Sequence, residues 1–544
     1  MTRLASLRAR MDGTVVLPGE PGYDERRALA LGGADDFPAL IVVPHGVADV
    51  VRTVELAAET GIELAVRSGG HSIAGFGTTG GILLDVRGLT GLDVDPRQRT
   101  VRVGAGLTAG EVTAALAPYG LAVGFGDTAS VGVSGLTLGG GVGYLSRKHG
   151  LTVDSLIGAE VVTADGRVRR TDEDHEPELF WAIRGGGGNF GVLTELTFRL
   201  QDVSQFFGGL LILPASATTV AAFVRHAAEA PRELTTIANI LLCPPLPFVP
   251  AGAHGTPVLF ATMAWAGDPL AAEEALRPFR SLAEPLADRL TPQPYAALLP
   301  AEKPAVPPHL ALRTMFLDAV DEEWAGRALA WVEAGHGSFR KVELRPLGGA
   351  IADVPTDATA YPHRDAPLMA NLAVIFTDPH LRATHEDDVT AAAAALRQHR
   401  AGAYVNFLGR DGSARDAYPG AGWDRLVRAK RRYDPANLFR SNHTTVSVAG
   451  PGAERGLGQR RLEQFDGIAG RVVDQDLLPA DSGDDLVAER DAGRTQPLDG
   501  AEQIGDLELE PVPAARLGDP PVGHDLATTR AAAGSAEHQA QIAV

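Results

Sequence analysis

The sequence predicts an α+β fold of more than one domain, and three observations carry that expectation. Strand-like and helix-like segments alternate between about residues 39 and 200. Between about 201 and 400 the texture changes to proline-rich connections and longer helical segments, and a strand-then-helix signal returns between 402 and 445. With 544 residues and 56.9 kDa, the chain exceeds what one ordinary hydrophobic core supports.

The elements follow in chain order. The β-branched runs at 39–43, 82–86 and 101–103 predict strands. The segments 50–58 and 109–117 between them repeat apolar residues at helical spacing. Farther along, 258–263 predicts a strand and 269–277 a helix. The segment 403–408 predicts a strand, followed by a helix over 423–433 that Asp434-Pro435 stops. After about Val448 the chain is rich in Gly, Ala, Asp, Glu and Pro and poor in aromatics. This stretch carries roughly ten excess negative charges, so residues 447–544 are expected to form a disordered acidic tail.

Composition removes several function classes. A formal charge of −19 and a pI near 5.2 argue against a nucleic-acid or anionic-membrane partner, either of which needs clustered Lys and Arg. Cys243 is the only cysteine, which excludes an intramolecular disulfide and a thiolate metal cluster, and no metal site is expected. No apolar run approaches the roughly 20 residues needed to span a bilayer, and the N-terminus lacks the apolar stretch of a secretory signal. A cytoplasmic location is therefore expected.

Three glycine-rich segments carry the chemistry. In Arg67-Ser-Gly-Gly-His71 the paired glycines allow close backbone approach to a ligand; read alone, such a spacing is more often a tight turn beside a solvent-facing histidine. The second segment runs through Val131-Gly-Val-Ser-Gly135 to Gly139-Gly-Gly-Val-Gly143, with interleaved apolar residues that argue for packing. In the third, an aromatic helix end meets Gly185-Gly-Gly-Gly188 and then a strand. Together they point to a dinucleotide more strongly than the lone Gly104-Ala-Gly-Leu-Thr-Ala-Gly110 element does. A nicotinamide Rossmann domain would place one such loop after its first strand, with an acidic residue about 20 positions on, and that arrangement is not evident. In Lys341-Val-Glu-Leu-Arg345, strand alternation puts three charges on one face, which is either a solvated edge or a set of groups aimed at a ligand.

Taken with Phe180-Trp-Ala-Ile-Arg-Gly-Gly-Gly-Gly-Asn-Phe-Gly191, Tyr404-Val-Asn-Phe407 and Arg431-Arg-Tyr-Asp-Pro-Ala-Asn-Leu-Phe-Arg440, these motifs resemble the berberine-bridge-enzyme-like branch of the vanillyl-alcohol-oxidase flavoproteins, over about residues 14–445. The resemblance implies a PCMH-type FAD-binding domain at 14–202 and an inserted α+β substrate-binding domain at 203–400, whose antiparallel sheet covers the flavin. A C-terminal segment at 401–446 would return to the FAD domain. It also implies an FAD-dependent oxidoreductase, an oxidase of secondary metabolism. Such an enzyme takes hydride from a C–H adjacent to O or N of a small alcohol, sugar or amine and passes it to O2, giving H2O2. The alternatives are a dehydrogenase of the same fold with another acceptor, or a flavin-binding protein that has lost turnover.

Residue by residue, the resemblance implies that His71 bonds to the flavin 8α-carbon, a role a neutral imidazole can fill as nucleophile. Thr128 holds the place where many relatives carry a second, cysteinyl tether, so no second link is expected. Arg67, Ser68, Gly69, Gly70 and Ser72 would meet the pyrophosphate. Thr128, Val133, Ser134, Gly135, Gly143 and Val192 would line the rest of the cofactor, with Asn406 at the ring. Val131 falls where a valine in plant relatives admits oxygen. Tyr404 would be a general base or a binding group, and Lys341 and Glu343 would orient an amine or hydroxyl. His363 and Arg364 are expected to be structural.

Overall fold

The computed structural model describes residues 3–32, 35–299, 307–335 and 339–445, so the expected acidic tail lies outside the described residues. Local chemistry sets the first elements. Helix Val47–Thr60 buries Val50, Val54 and Ala57 on one face and ends at Gly61, whose left-handed conformation (φ 68°) a side chain would disfavour. Helix Ala109–Leu116 starts on a capping box, in which Thr108 and Glu111 each satisfy the other's backbone N–H. The Gly104–Gly110 element is therefore a strand-to-helix turn. A Cβ on Gly106 would sit 2.2 Å from the Val86 carbonyl oxygen, so that glycine serves packing.

Two sheets share the first core. One runs in the order Thr14–Val16, Leu40–Val43, Ile82–Asp85, Leu64–Arg67, with its last two pairings parallel. The other is antiparallel, in the order Leu92–Asp95, Thr100–Gly104, Val192–Arg199, Leu156–Val162, Val168–Thr171. Phe125, Phe180 and Phe198 fill the space between these elements.

Residues 206–376 build an eight-stranded antiparallel sheet. Its main path is Ala287–Asp288, Phe206–Pro214, Pro257–Ala266, Leu234–Leu242, Phe339–Pro346, Leu368–Phe376, His309–Leu317. Strand alternation divides its two faces. Val342, Leu344, Leu372 and Val374 point into a core covered by helices Ala217–Glu229, Pro269–Arg280, Glu322–Glu333 and Arg382–Leu396. Each such side chain contributes roughly 1.5–3 kcal/mol when fully buried. The opposite face, with Lys341, Glu343 and Arg345, turns toward the glycine-rich loops.

The C-terminal segment departs from expectation at 403–408. It forms no strand: Val405–Phe407 is a single 3-10 turn, Ala403 N–H donates to Asp416 O, and Phe407 N–H returns to Tyr404 O. The apolar alternation there serves two different cores, with Tyr404 packing on one side and Ala403 and Leu408 on the other. Helix Ala421–Tyr433 then lays Leu426, Ala429 and Tyr433 into the first core. Asp434 ends it by accepting from Lys430 Nζ at 2.7 Å and from the N–H groups of Leu438 and Phe439, all buried. Among the described residues no helix is long and apolar enough to cross a membrane.

Candidate active site

Between the sheet face and the glycine-rich loops lies a cavity of about 1340 Å³. Pockets for drug-sized ligands occupy about 300–1,000 Å³, so this one has room for a large cofactor with a substrate beside it.

The first two loops meet backbone to backbone. A Cβ on Gly69 would fall 2.2 Å from Gly132 N, and one on Gly132 would fall 2.1 Å from Ser68 Oγ. Gly70 takes a left-handed φ of 74°. This contact brings Ser130 Oγ to 2.9 Å from His71 Nε2, fixing the imidazole plane from within the cavity wall. The backbone N–H groups of Gly69, Gly70 and Ser72 bond to no other described backbone group, which leaves donors of the kind that cradle a phosphate. Arg67 contributes differently from expectation. Its buried guanidinium pairs with Asp85 at 3.0 Å and donates to the carbonyls of Arg26, Arg27 and Ala28, so its charge is committed within the fold.

The remaining positions divide. Thr128, Ser134, Gly135, Val192 and Asn406 line the cavity. Val133 and Gly143 do not. Val133 is fully buried in the first core, and Gly143 is a glycine because a Cβ would meet Phe125 O at 1.9 Å. The Gly143 N–H is also occupied, donating to Ser146 Oγ at 2.8 Å. Residue type and proximity to a glycine run suggested both positions. His363 and Arg364 are structural as expected: His363 bonds Ala417 O at 3.0 Å, and Arg364 grips Asp154 with two 2.7 Å bonds.

Tyr404 reaches the cavity from the 3-10 turn. Its hydroxyl oxygen accepts from Gly141 N–H and from Asn406 Nδ2, each at 3.0 Å. Burial raises the phenol above its ordinary value, and those two donors offset only part of the effect.

On the sheet, the alternative of a solvated charged strand is removed, because Lys341, Glu343 and Arg345 are all buried. Glu343 accepts from Arg345 Nε at 2.6 Å, Asn371 Nδ2 at 2.8 Å and Lys341 Nζ at 3.3 Å. Burial works to raise the carboxyl, but Arg345 and Lys341 with these hydrogen bonds outweigh it and hold Glu343 well below the usual carboxylate range. Arg345 continues across the cavity to Asp127 and to Val142 O, tying the sheet to the second loop.

Sequence reasoning did not single out Ser130, Asp127 or Asn371. Ser130 and Asp127 flank Thr128 and gave no signal beyond that proximity. Asn371 had one: it is the lone polar residue in the strand Leu368–Phe376.

Comparison with known proteins agrees with this architecture. Residues 38–172 match a family model described as FAD binding domain, and residues 403–444 match one described as berberine and berberine like. (R)-6-hydroxynicotine oxidase from Paenarthrobacter nicotinovorans is 29% identical over 456 residues, covering 80% of this chain and 96% of the relative. An FAD-linked oxidoreductase of Pyricularia oryzae is 30% identical over 435 residues, covering 74% and 83% respectively. Among solved structures, 6-hydroxy-D-nicotine oxidase from Arthrobacter nicotinovorans superposes with a TM-score of 0.71 at 26% identity, covering 80% of this chain and 98% of that one. A xylooligosaccharide oxidase from Myceliophthora thermophila shares the fold, with a TM-score of 0.72 at 22% identity, covering 82% of this chain and all of that one.

Proposed function

This chain belongs to the berberine-bridge-like FAD-linked oxidoreductases, and from that premise we propose that it is an oxidase carrying FAD covalently on His71. The observation that supports this reading is the Ser130–His71 contact at the junction of two glycine loops, inside a cavity large enough for the cofactor. When bound, FAD supplies the acceptor for a hydride from a C–H beside oxygen or nitrogen and returns the electrons to O2 as H2O2.

The chain's own residues divide the remaining work. Ser130 holds the His71 ring in place through Nε2. The amides of Gly69, Gly70 and Ser72 bind the pyrophosphate, while Ser134, Gly135 and Val192 lie along the cofactor. Thr128 has no thiol, so His71 is the single anchor. Tyr404 takes the proton from the substrate hydroxyl or amine, with Gly141 N–H and Asn406 favouring the phenolate. Lys341 orients the same heteroatom, and Glu343 keeps the Lys341 ammonium and the Arg345 guanidinium in register.

The test is anaerobic mixing of the purified holoenzyme with a panel of alcohols, sugars and cyclic amines, followed by admission of air. Bleaching of the flavin band by one class, then recovery of colour with stoichiometric H2O2, is the expected result. Bleaching that air does not reverse favours a dehydrogenase; no bleaching by any class contradicts turnover on these substrates.

A further inference from the structure

We infer that Arg147 is a positioning residue: it fastens the second glycine loop to the end of the charged strand and so fixes where the Tyr404 hydroxyl stands relative to Lys341. This rests on the proposed function, which gives Tyr404 and Lys341 their roles toward the substrate.

Arg147 is buried, yet among the described residues no carboxylate pairs with it, and the charged side chain that acts on it is another cation, Arg232. A buried charge without a counter-ion is costly, so a residue that only filled space would be better apolar. The guanidinium instead grips two carbonyls, Nη1 donating to Leu347 O and Nη2 to Ala230 O, each at 2.7 Å. Leu347 directly follows the strand Phe339–Pro346, and Ala230 closes helix Ala217–Glu229 over the same sheet. A planar fork of donors suits two carbonyls at once, which a point charge or an apolar side chain does not.

The sheet domain is shaped to receive it. Gly348 and Gly349 take φ of 78° and 56°, and a Cβ on Gly349 would fall 2.3 Å from Arg147 O. The turn after the strand thus closes on the Arg147 backbone only in the absence of a side chain. Lys148 Nζ then donates to Ala266 O, at the end of the strand Pro257–Ala266. Two successive residues of the short helix Ser146–His149 therefore hold three elements of the sheet domain.

On the cavity side, Gly143 and Ser146 bond reciprocally: Gly143 N–H donates to Ser146 Oγ at 2.8 Å, and Ser146 N–H donates to Gly143 O at 3.1 Å. Beyond that braced turn, Gly141 N–H donates to the Tyr404 hydroxyl, and Val142 O accepts from Arg345 Nη1 at 3.2 Å. A continuous path leads from the strand end through Arg147 to Tyr404, and returns to the strand at Arg345. Displacing Arg147 moves both ends of it. A reacting group misplaced by about 1 Å can lose roughly a hundredfold in rate, so this joint matters to chemistry without touching substrate.

The test is hydrogen exchange read by mass on the holoenzyme, with the visible circular dichroism of its flavin as a second signal. Arg147→Met should speed exchange about tenfold in segments 139–145 and 402–408, leave segments 50–57 and 369–375 at the wild-type rate, and change the flavin dichroism. Arg147→Lys, which keeps the charge without the fork, should recover part of the protection and of the dichroism. Equal acceleration in all four segments would make Arg147 merely structural and overturn the inference. So would unchanged exchange at 402–408, or a flavin signal identical to wild type. Should Arg147→Met fail to fold, the Lys variant decides: its loss of protection is confined to the same two segments, or the inference falls. The proposed function fails separately, through flavin that never bleaches with any substrate class, and the exchange pattern is read whatever that outcome.

Discussion

The glycine loops around His71 and the charged strand Phe339–Pro346 face each other across one cavity, yet they are held by opposite means. The loops owe their shape to missing side chains: Gly69 and Gly132 touch backbone to backbone, where a Cβ on either would overlap the other loop. The strand owes its shape to side chains present, because Lys341, Arg345 and Asn371 all donate to the buried Glu343 carboxylate. A wall of backbone suits a cofactor that must always fit in one way, and a wall of side chains can be retuned for a different substrate without disturbing that fit.

Substitutions on the two walls should therefore fail differently. The largest effect is expected from Gly132→Ala, whose methyl would meet Ser68 Oγ and Gly69 N at 2.1 and 2.3 Å. Overpacking of this kind typically costs about 1–3 kcal/mol, and here it also parts the loops, so flavin content and the thermal midpoint should fall together. Retention of full flavin loading would break the contrast.

Next in size is the reacting group. Tyr404→Phe should slow anaerobic flavin reduction by about a hundredfold or more while leaving the flavin in place. Since burial raises the Tyr404 phenol above 10, the reduction rate should climb with pH without levelling before about pH 10. A plateau reached near neutrality would remove Tyr404 as the base.

On the opposite wall, Glu343→Gln leaves Lys341 and Arg345 without their shared anion. Because the Asp127 and Val142 O contacts still hold Arg345, the loss should be about 1–2 kcal/mol, below the roughly 3–5 kcal/mol typical of a fully orphaned buried charge. A chemical denaturation curve should show the loss with flavin still bound. Equal loss of flavin would mean that the two walls are not separable.

The smallest effect is a pH dependence set away from the cavity. Burial lowers His363 from 6.5 to about 4. The unfolded chain thus binds a proton that the folded chain does not between those values, so stability present above about pH 6.5 is lost as pH falls toward 4. His363→Gln should flatten that part of the thermal-midpoint profile relative to wild type.

The same contrast explains what could be read from the sequence. Val47–Thr60 and the Arg67–His71 loop are legible because local spacing and glycine content determine them. The segment 403–408 misled because two separate cores, not one sheet, supply the partners of its alternating apolar residues. Val133 sits in a glycine-rich motif yet packs into the first core, and no pattern in the chain encodes that direction. The Asp127–Arg345 and Glu343–Asn371 contacts join residues 218 and 28 positions apart, so they exist only once the register of the sheet is set.

The covalent anchor is the central claim, and it is tested most directly by precipitating the purified protein in acid, digesting the pellet and weighing its peptides. The flavin should stay with the pellet, on a peptide containing His71 that is heavier by one FAD, and His71→Ala should release it. Yellow colour left in the supernatant of the wild-type protein would contradict the account.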